Sequence, residues 1–174
     1  MKFGTYVYVA VKELREKNIS VGKTIVQKTI YFALPEGKRN LYYYPYYYGP
    51  YSDQVQQAIA STLKNENNAN DIKFLKVKDF KSGKESQFDD VERRIKVTAK
   101  FFAENKISQT SDISFLAKVH LLSRSERTEA KENLPEYIKK QAKFLGWKEL
   151  AIASIEKIKA NIGLANNLEE ALQN

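Results

Sequence analysis

Leu41 to Tyr51 reads LYYYPYYYGPY, and this run constrains the chain more than any other feature. Pro45 and Pro50 remove backbone donors and fix φ, and Gly49 tolerates positive φ, so the pattern predicts an extended segment ending in a turn. Helical patterns stand on both sides. Before it, Phe3, Tyr6, Val7, Ala10, Val11 and Leu14 recur at helical spacing, with Lys12, Glu13, Arg15, Glu16 and Lys17 opposite. After a break at Asn18 to Gly22, a second helix is expected over Lys23–Leu34, with Val26, Ile30, Ala33 and Leu34 on one face. Pro35-Glu36-Gly37 ends it. Past the tyrosines, Ser52 stands where an N-cap belongs and Asp53 in the favourable first turn. Val55, Ala58, Ile59, Thr62 and Leu63 form the inner row of the third helix, with Gln54, Gln57, Ser61 and Lys64 opposite. The Asn-rich run from Asn65 to Asn70 closes it.

Two strands are then expected. Leu75 and Val77 alternate with Lys76 and Lys78 over Leu75–Phe80, and Val91, Ile95 and Val97 alternate with Glu92, Arg94 and Lys96 over Val91–Thr98. Lys81-Ser82-Gly83-Lys84 is the natural turn between them. Helix, helix, extended segment, helix, hairpin is the order of a winged helix-turn-helix, three helices and a β-hairpin wing. The expected class is therefore α+β, mainly α, with residues 1–105 as a winged-helix-like domain. A helical Val91–Thr98 would contradict that assignment. Residues 106–174 are expected as a helical extension packed on it. They comprise a helix over Asp112–Arg124, an exposed polar loop from Ser123 to Asn133, a helix opened by Pro135 and stopped at Gly146, and another ending at Gly163.

Composition removes whole classes of chemistry. The 174 residues include no cysteine and one histidine, so thiolate metal sites, disulfides and cysteine nucleophiles are out. His120 lies in an apolar helical stretch, where a satisfied core histidine outweighs a catalytic one. Asp89, Asp90 and Glu92 are most simply solvated. Gly22-Lys23-Thr24 lacks the earlier glycine and preceding strand of a phosphate loop. No enzyme activity, cofactor or metal is expected. There is no membrane-spanning run and no secretory leader pattern, so a cytoplasmic protein is expected.

The net charge of +8 predicts attraction to a polyanion, either nucleic acid or an acidic protein. On a winged helix, Gln54, Gln57, Ser61 and Lys64 would face base edges in duplex DNA. Lys76, Lys78, Lys81 and Lys84 would touch phosphates. The same side chains also suit an ordinary solvated face. The tyrosines admit three readings: stacking on unpaired bases, a protein-binding patch, or packing inward as core. Core plus interface is favoured, with Tyr43, Tyr46, Tyr48 and Tyr51 as partner contacts. Gly49, Pro50 and Ser52 read first as a structural turn that aims the third helix. Gln27 and Lys28 are less easily explained as core.

Val26-Gln27-Lys28-Thr29-Ile30-Tyr31, followed by Tyr48-Gly49-Pro50-Tyr51-Ser52, resembles the LQKxxY…YGPYS pattern of the YwgA-like proteins. The architecture is also similar to the SocA-like antitoxin (Panacea) domain. The motif covers residues 26–52, and a looser match of helix order spans roughly the first 100. Tyr42–Tyr44 and Tyr46–Tyr48 exceed the family pattern. The resemblance implies a winged-helix-like fold, a prokaryotic or viral origin, and an antitoxin, adaptor or regulator. The leading expectation is a non-enzymatic DNA-binding regulator or antitoxin-like factor, with a homodimer one of its forms. The alternative is an interaction module that holds an acidic partner such as a toxin through the tyrosines or the C-terminal helices, without binding DNA.

Overall fold

The computed structural model describes residues 2–65, 75–77, 90–125 and 127–174, with backbone alone at 64, 65 and 75–77. It is mainly helical with small antiparallel hairpins. Helix α1 (Phe3–Glu16) buries the row read from the sequence, and Asn18 at φ 56 breaks the chain after it. Helix α2 (Lys23–Ala33) runs through the middle of the protein, with every residue from Ile25 to Ala33 buried. A short helix, α3 (Glu36–Tyr42), comes next. The expected extended segment therefore loses Leu41 and Tyr42 to a helix, because Pro45 restricts only Tyr44 directly and leaves the residues before it free.

The extended part is a hairpin. β1 (Tyr44–Tyr46) pairs antiparallel with β2 (Gly49–Tyr51), Tyr44 opposite Tyr51 and Tyr46 opposite Gly49. Helix α4 (Asp53–Thr62) follows, capped by the Ser52 side chain, which accepts from the Val55 N–H. It ends earlier than the Asn-rich run suggests. β3 (Leu63–Asn65) starts at once and pairs antiparallel with β4 (Leu75–Val77), Leu63 opposite Val77.

The second expected strand is wrong. Val91–Thr98 lies inside helix α5 (Asp90–Glu104) and does not pair with residues 75–77. The wing drawn from the sequence falls with it. Val91 and Ile95 are spaced for either period, but Val91, Ile95, Thr98, Ala99 and Phe102 are all buried, at steps of four, three, one and three. That is one helical face against α1 and α2, and it outweighs a short alternation.

Helix α6 (Thr110–Ser123) is apolar around much of its circumference because it separates two cores. Ile113, Leu116 and Ala117 face the first core, built on α1, α2, α4 and α5. Phe115 and Val119 face a second, with Ile138, Trp147, Leu150 and Ile158. The polar stretch after α6 contains a short helix, α7 (Thr128–Glu132), rather than only loop. Helix α8 (Leu134–Phe144) carries Pro135 in its first turn and stops before Gly146, whose φ of 69 favours glycine. One turn, α9 (Lys148–Ala151), leads to the last helix, α10 (Ile155–Gln173).

Helix α10 does not end at Gly163. A glycine inside a helix costs about 1 kcal/mol, and burial of Ala165, Leu168 and Leu172 in the first core offsets it. Two arginines fasten the same helix. Arg94 donates from Nε to the Ala33 carbonyl (2.6 Å) and from Nη1 to the Leu172 carbonyl (2.9 Å), and Arg93 reaches Leu172 as well. The C-terminal helix thus completes the core begun by α1 and α2. Among the described residues, no helix is long and apolar enough to cross a membrane.

Candidate functional site

The tyrosine hairpin is clamped from beneath and open above. Its clamps come from the motif residues on α2. The Gln27 amide spans Ser52, donating from Nε2 to the carbonyl (2.9 Å) and accepting the N–H at Oε1 (3.3 Å). Lys28 donates from Nζ to the Pro50 carbonyl at 2.6 Å. Tyr43 donates its hydroxyl to the Gln27 carbonyl at 2.9 Å. From α6, the Lys118 side chain passes so close to Gly49 that a β-carbon there would meet its Cγ at 3.0 Å. Gly49 also has φ 96, so space and backbone both call for glycine. From the far side, Trp147 donates Nε1–H to the Tyr46 carbonyl at 2.8 Å. Contacts from α2, from α6 and from Trp147 thus hold the Tyr44–Tyr51 hairpin from beneath.

Above this base the rings stand in solvent. Tyr44, Tyr46, Tyr47 and Tyr48 are 41%, 55%, 70% and 57% exposed. They pack edge-to-face on one another, Tyr44 against Tyr46 at 82° and Tyr47 against Tyr48 at 80°. The patch continues beyond the hairpin: Pro45, Tyr46 and Tyr47 share a recess with Leu145 and Trp147, and Phe144 beside them is 77% exposed. A second recess on the other side of Tyr46 is lined by Tyr48, Tyr51, Gln27, Lys28 and Lys23. Scattered exposed apolar residues are ordinary, whereas these aromatic side chains form a contiguous patch.

Of the residues expected to contact a partner, Tyr46 and Tyr48 are exposed and Tyr51 is half-buried. Tyr43 is buried under the hairpin and unavailable. Tyr44, Tyr47, Phe144 and Leu145 were not singled out. Strand alternation would have marked Tyr44, but the α8–α9 corner comes alongside only through the fold. Gly49, Pro50 and Ser52 are all buried in the turn leading into α4. On α4, Gln54, Gln57 and Ser61 are exposed, Gln54 accepting from Ser52 Oγ and Ser61 donating to the Ala58 carbonyl. The side chains of Lys64 and Lys76, and the whole of Lys78, Lys81 and Lys84, lie outside the described residues.

Lys28 is buried beside Lys118, and loss of water with the neighbouring positive charge pulls its pKa from 10.5 to about 7. A second buried polar group surrounds His120. The Tyr31 hydroxyl lies 2.7 Å from Nδ1, and Nε2 lies 3.0 Å from Glu169 Oε1. Arg39 Nη1 lies 3.1 Å from the same Nε2, and burial lowers the His120 pKa. Arg39, itself buried, reaches Glu169 at 2.6 Å and the Leu34 carbonyl. Burial raises the Glu169 carboxyl, but hydrogen bonds from His120 and Arg39 outweigh it and hold the pKa at about 2. Arg124 pairs with Glu36 on the outside. All the charges here are matched, and the cluster ties α3 and α6 to α10.

Comparison with known proteins finds no family model, no curated protein and no solved structure that matches. The surface chemistry of the chain itself carries the functional argument.

Proposed function

We propose that this chain is a non-enzymatic protein-interaction module, an antitoxin-like factor or adaptor, whose docking surface is the tyrosine hairpin together with the α8–α9 corner. One observation carries the reading: four adjacent tyrosines stand exposed on a hairpin whose backbone is fixed by Gln27, Lys28 and Trp147. Rigid aromatic side chains lose little entropy on binding and are enriched among interface hot spots. The charge of +8 suits an acidic partner. The resemblance to SocA-like antitoxin domains points the same way.

The test replaces Tyr47 and Tyr48 by serine, captures partners from the native host, and reconstitutes the identified complex from purified components. Calorimetry should show binding to the wild type that weakens by about 2 kcal/mol or more in the variant, the scale of a hot spot. An interaction that ignores both changes refutes the reading.

A second reading, a winged-helix DNA binder, rests on a different observation. Helix α4 is followed directly by the β3–β4 hairpin, as a recognition helix is followed by its wing. Its Gln54, Gln57 and Ser61 share the exposed face. This reading requires duplex binding that falls steeply with salt. It also requires Gln57→Ala to cost about 1–3 kcal/mol on a preferred site and almost nothing on random DNA.

A further inference from the structure

We infer that the tyrosine surface takes an extended, acidic, proline-containing segment of its partner. This deepens the interaction reading above and rests on it. The shape is the first argument. Tyr46 forms a ridge between two shallow slots, one walled by Tyr47, Leu145 and Trp147, the other by Tyr48 and Tyr51. Tyr46 and Tyr51 lie 5.0 Å apart, ring to ring, so the ridge is itself packed and stiff. Aromatic walls separated by a ridge are how grooves receive polyproline II, whose three-residue turn puts every third side chain on one side. Such a segment is already extended before it binds and loses little entropy on docking.

Charge supplies the second argument. Lys23 lines one slot, and exposed Lys143 and Lys148 lie beside Leu145 and Trp147, walls of the other, in the sequence. Among the described residues, none of these three lysines forms an ion pair. Lys118 is spent over the Trp147 ring at 5.5 Å and feels Glu149, and Asp53 is engaged by the Tyr44 hydroxyl. The rims are therefore net positive around an apolar centre, which is complementary to carboxylates bracketing prolines. Single-stranded nucleic acid shares the charge but needs open ring faces to stack on. Here Tyr44 with Tyr46, and Tyr47 with Tyr48, pack edge to face, which covers one face in each pair and breaks the parallel array that successive stacked bases use.

Trp147 is the sole tryptophan and sits beneath the first slot, so its emission reports occupancy directly. The full chain is titrated with a short peptide carrying a proline at every third position and glutamates at both ends. Its controls replace the prolines by alanine or the glutamates by lysine, and oligothymidylate is the nucleic-acid probe. We expect saturable binding of the first peptide, and binding weaker by about tenfold or more for each control peptide. Tyr47→Ser and Lys148→Glu should each weaken the first peptide while leaving thermal unfolding unchanged, since both positions are exposed. Failure of the first peptide to saturate, equal binding of the glutamate and lysine forms, or tighter binding of oligothymidylate overturns the inference. If a reconstituted partner still depends on Tyr47 and Tyr48 while the peptide fails, the interaction reading stands and only its peptide form is lost. If the partner ignores the tyrosines, both fall.

Discussion

Replacing Lys28 by methionine should change how the stability of this protein depends on pH. An unfolded chain holds the Lys28 proton up to 10.5, whereas the fold releases it at about 7. Between those values the unfolded state binds the extra proton, so stability rises with pH and is lost as pH falls from 10.5 toward 7. At about 1.4 kcal/mol per pH unit the gap sets a ceiling of roughly 5 kcal/mol. The bond to the Pro50 carbonyl is stronger for an ammonium than for an amine by about 1–2 kcal/mol, which favours the charged form and trims the effect to about 3 kcal/mol.

Methionine matches the length and volume of the lysine stem but cannot donate, so Pro50 loses its partner at a cost of about 1–3 kcal/mol. Below pH 7 that loss and the relief of a buried charge nearly cancel. At pH 9.5, one unit below the unfolded value of 10.5, about 1.4 kcal/mol of the charge penalty is left and the loss dominates. Tyr31 and Tyr43, both raised by burial, make stability fall only above pH 10, where unfolded tyrosines ionise, and His120, lowered by burial, acts only below about 6.5. The window from pH 7 to 9.5 therefore belongs to Lys28, with a smaller part from Lys118, also lowered by burial. Urea unfolding followed by Trp147 emission across this window should show the wild type gaining stability with pH and Lys28→Met remaining nearly level. Parallel pH profiles for the two proteins would refute the burial argument.

Gln27→Ala should cost about 1–3 kcal/mol, since it removes two hydrogen bonds to Ser52 and leaves its buried N–H unsatisfied, while the carbonyl keeps the Gln56 N–H; the urea midpoint reads it, and a change under 0.5 kcal/mol would mean that the clamp is idle. Leu168→Ala should cost about 2–5 kcal/mol if α10 completes the first core, and a chain that unfolds normally after this change would make that helix a dispensable appendage.

Local signals were legible where local physics decided the outcome. The row on α1, the Ser52 cap, the proline that opens α8 and the glycine that stops it all act within a turn or two of their own position. Val91–Thr98 failed because a six-residue alternation and a helical face share several positions, and only the surfaces of α1 and α2 decide between them. Gly163 failed for the same kind of reason. Its cost is local and small, while the compensating burial of Leu168 and Leu172 depends on packing against α5 and α6, which lie far back along the chain.

The tyrosine surface was half legible, and the division follows contact order. An exposed tyrosine run is visible in sequence, but Leu145 and Trp147 join it across about a hundred residues of chain, and nothing in their own surroundings announces the meeting. Gln27 and Lys28 show the converse. Polar residues in the middle of a buried helix look out of place until their partners, the backbone of Pro50 and Ser52, come into view. A buried polar group must find a partner or be paid for in stability, so its presence on α2 required some segment to bring backbone oxygens there. The Gly-Pro turn is that segment. Gln27 and Lys28 therefore fix the hairpin's position from beneath through Pro50 and Ser52, and Tyr44, Tyr46, Tyr47 and Tyr48 are left facing outward, where they can change without disturbing the clamp.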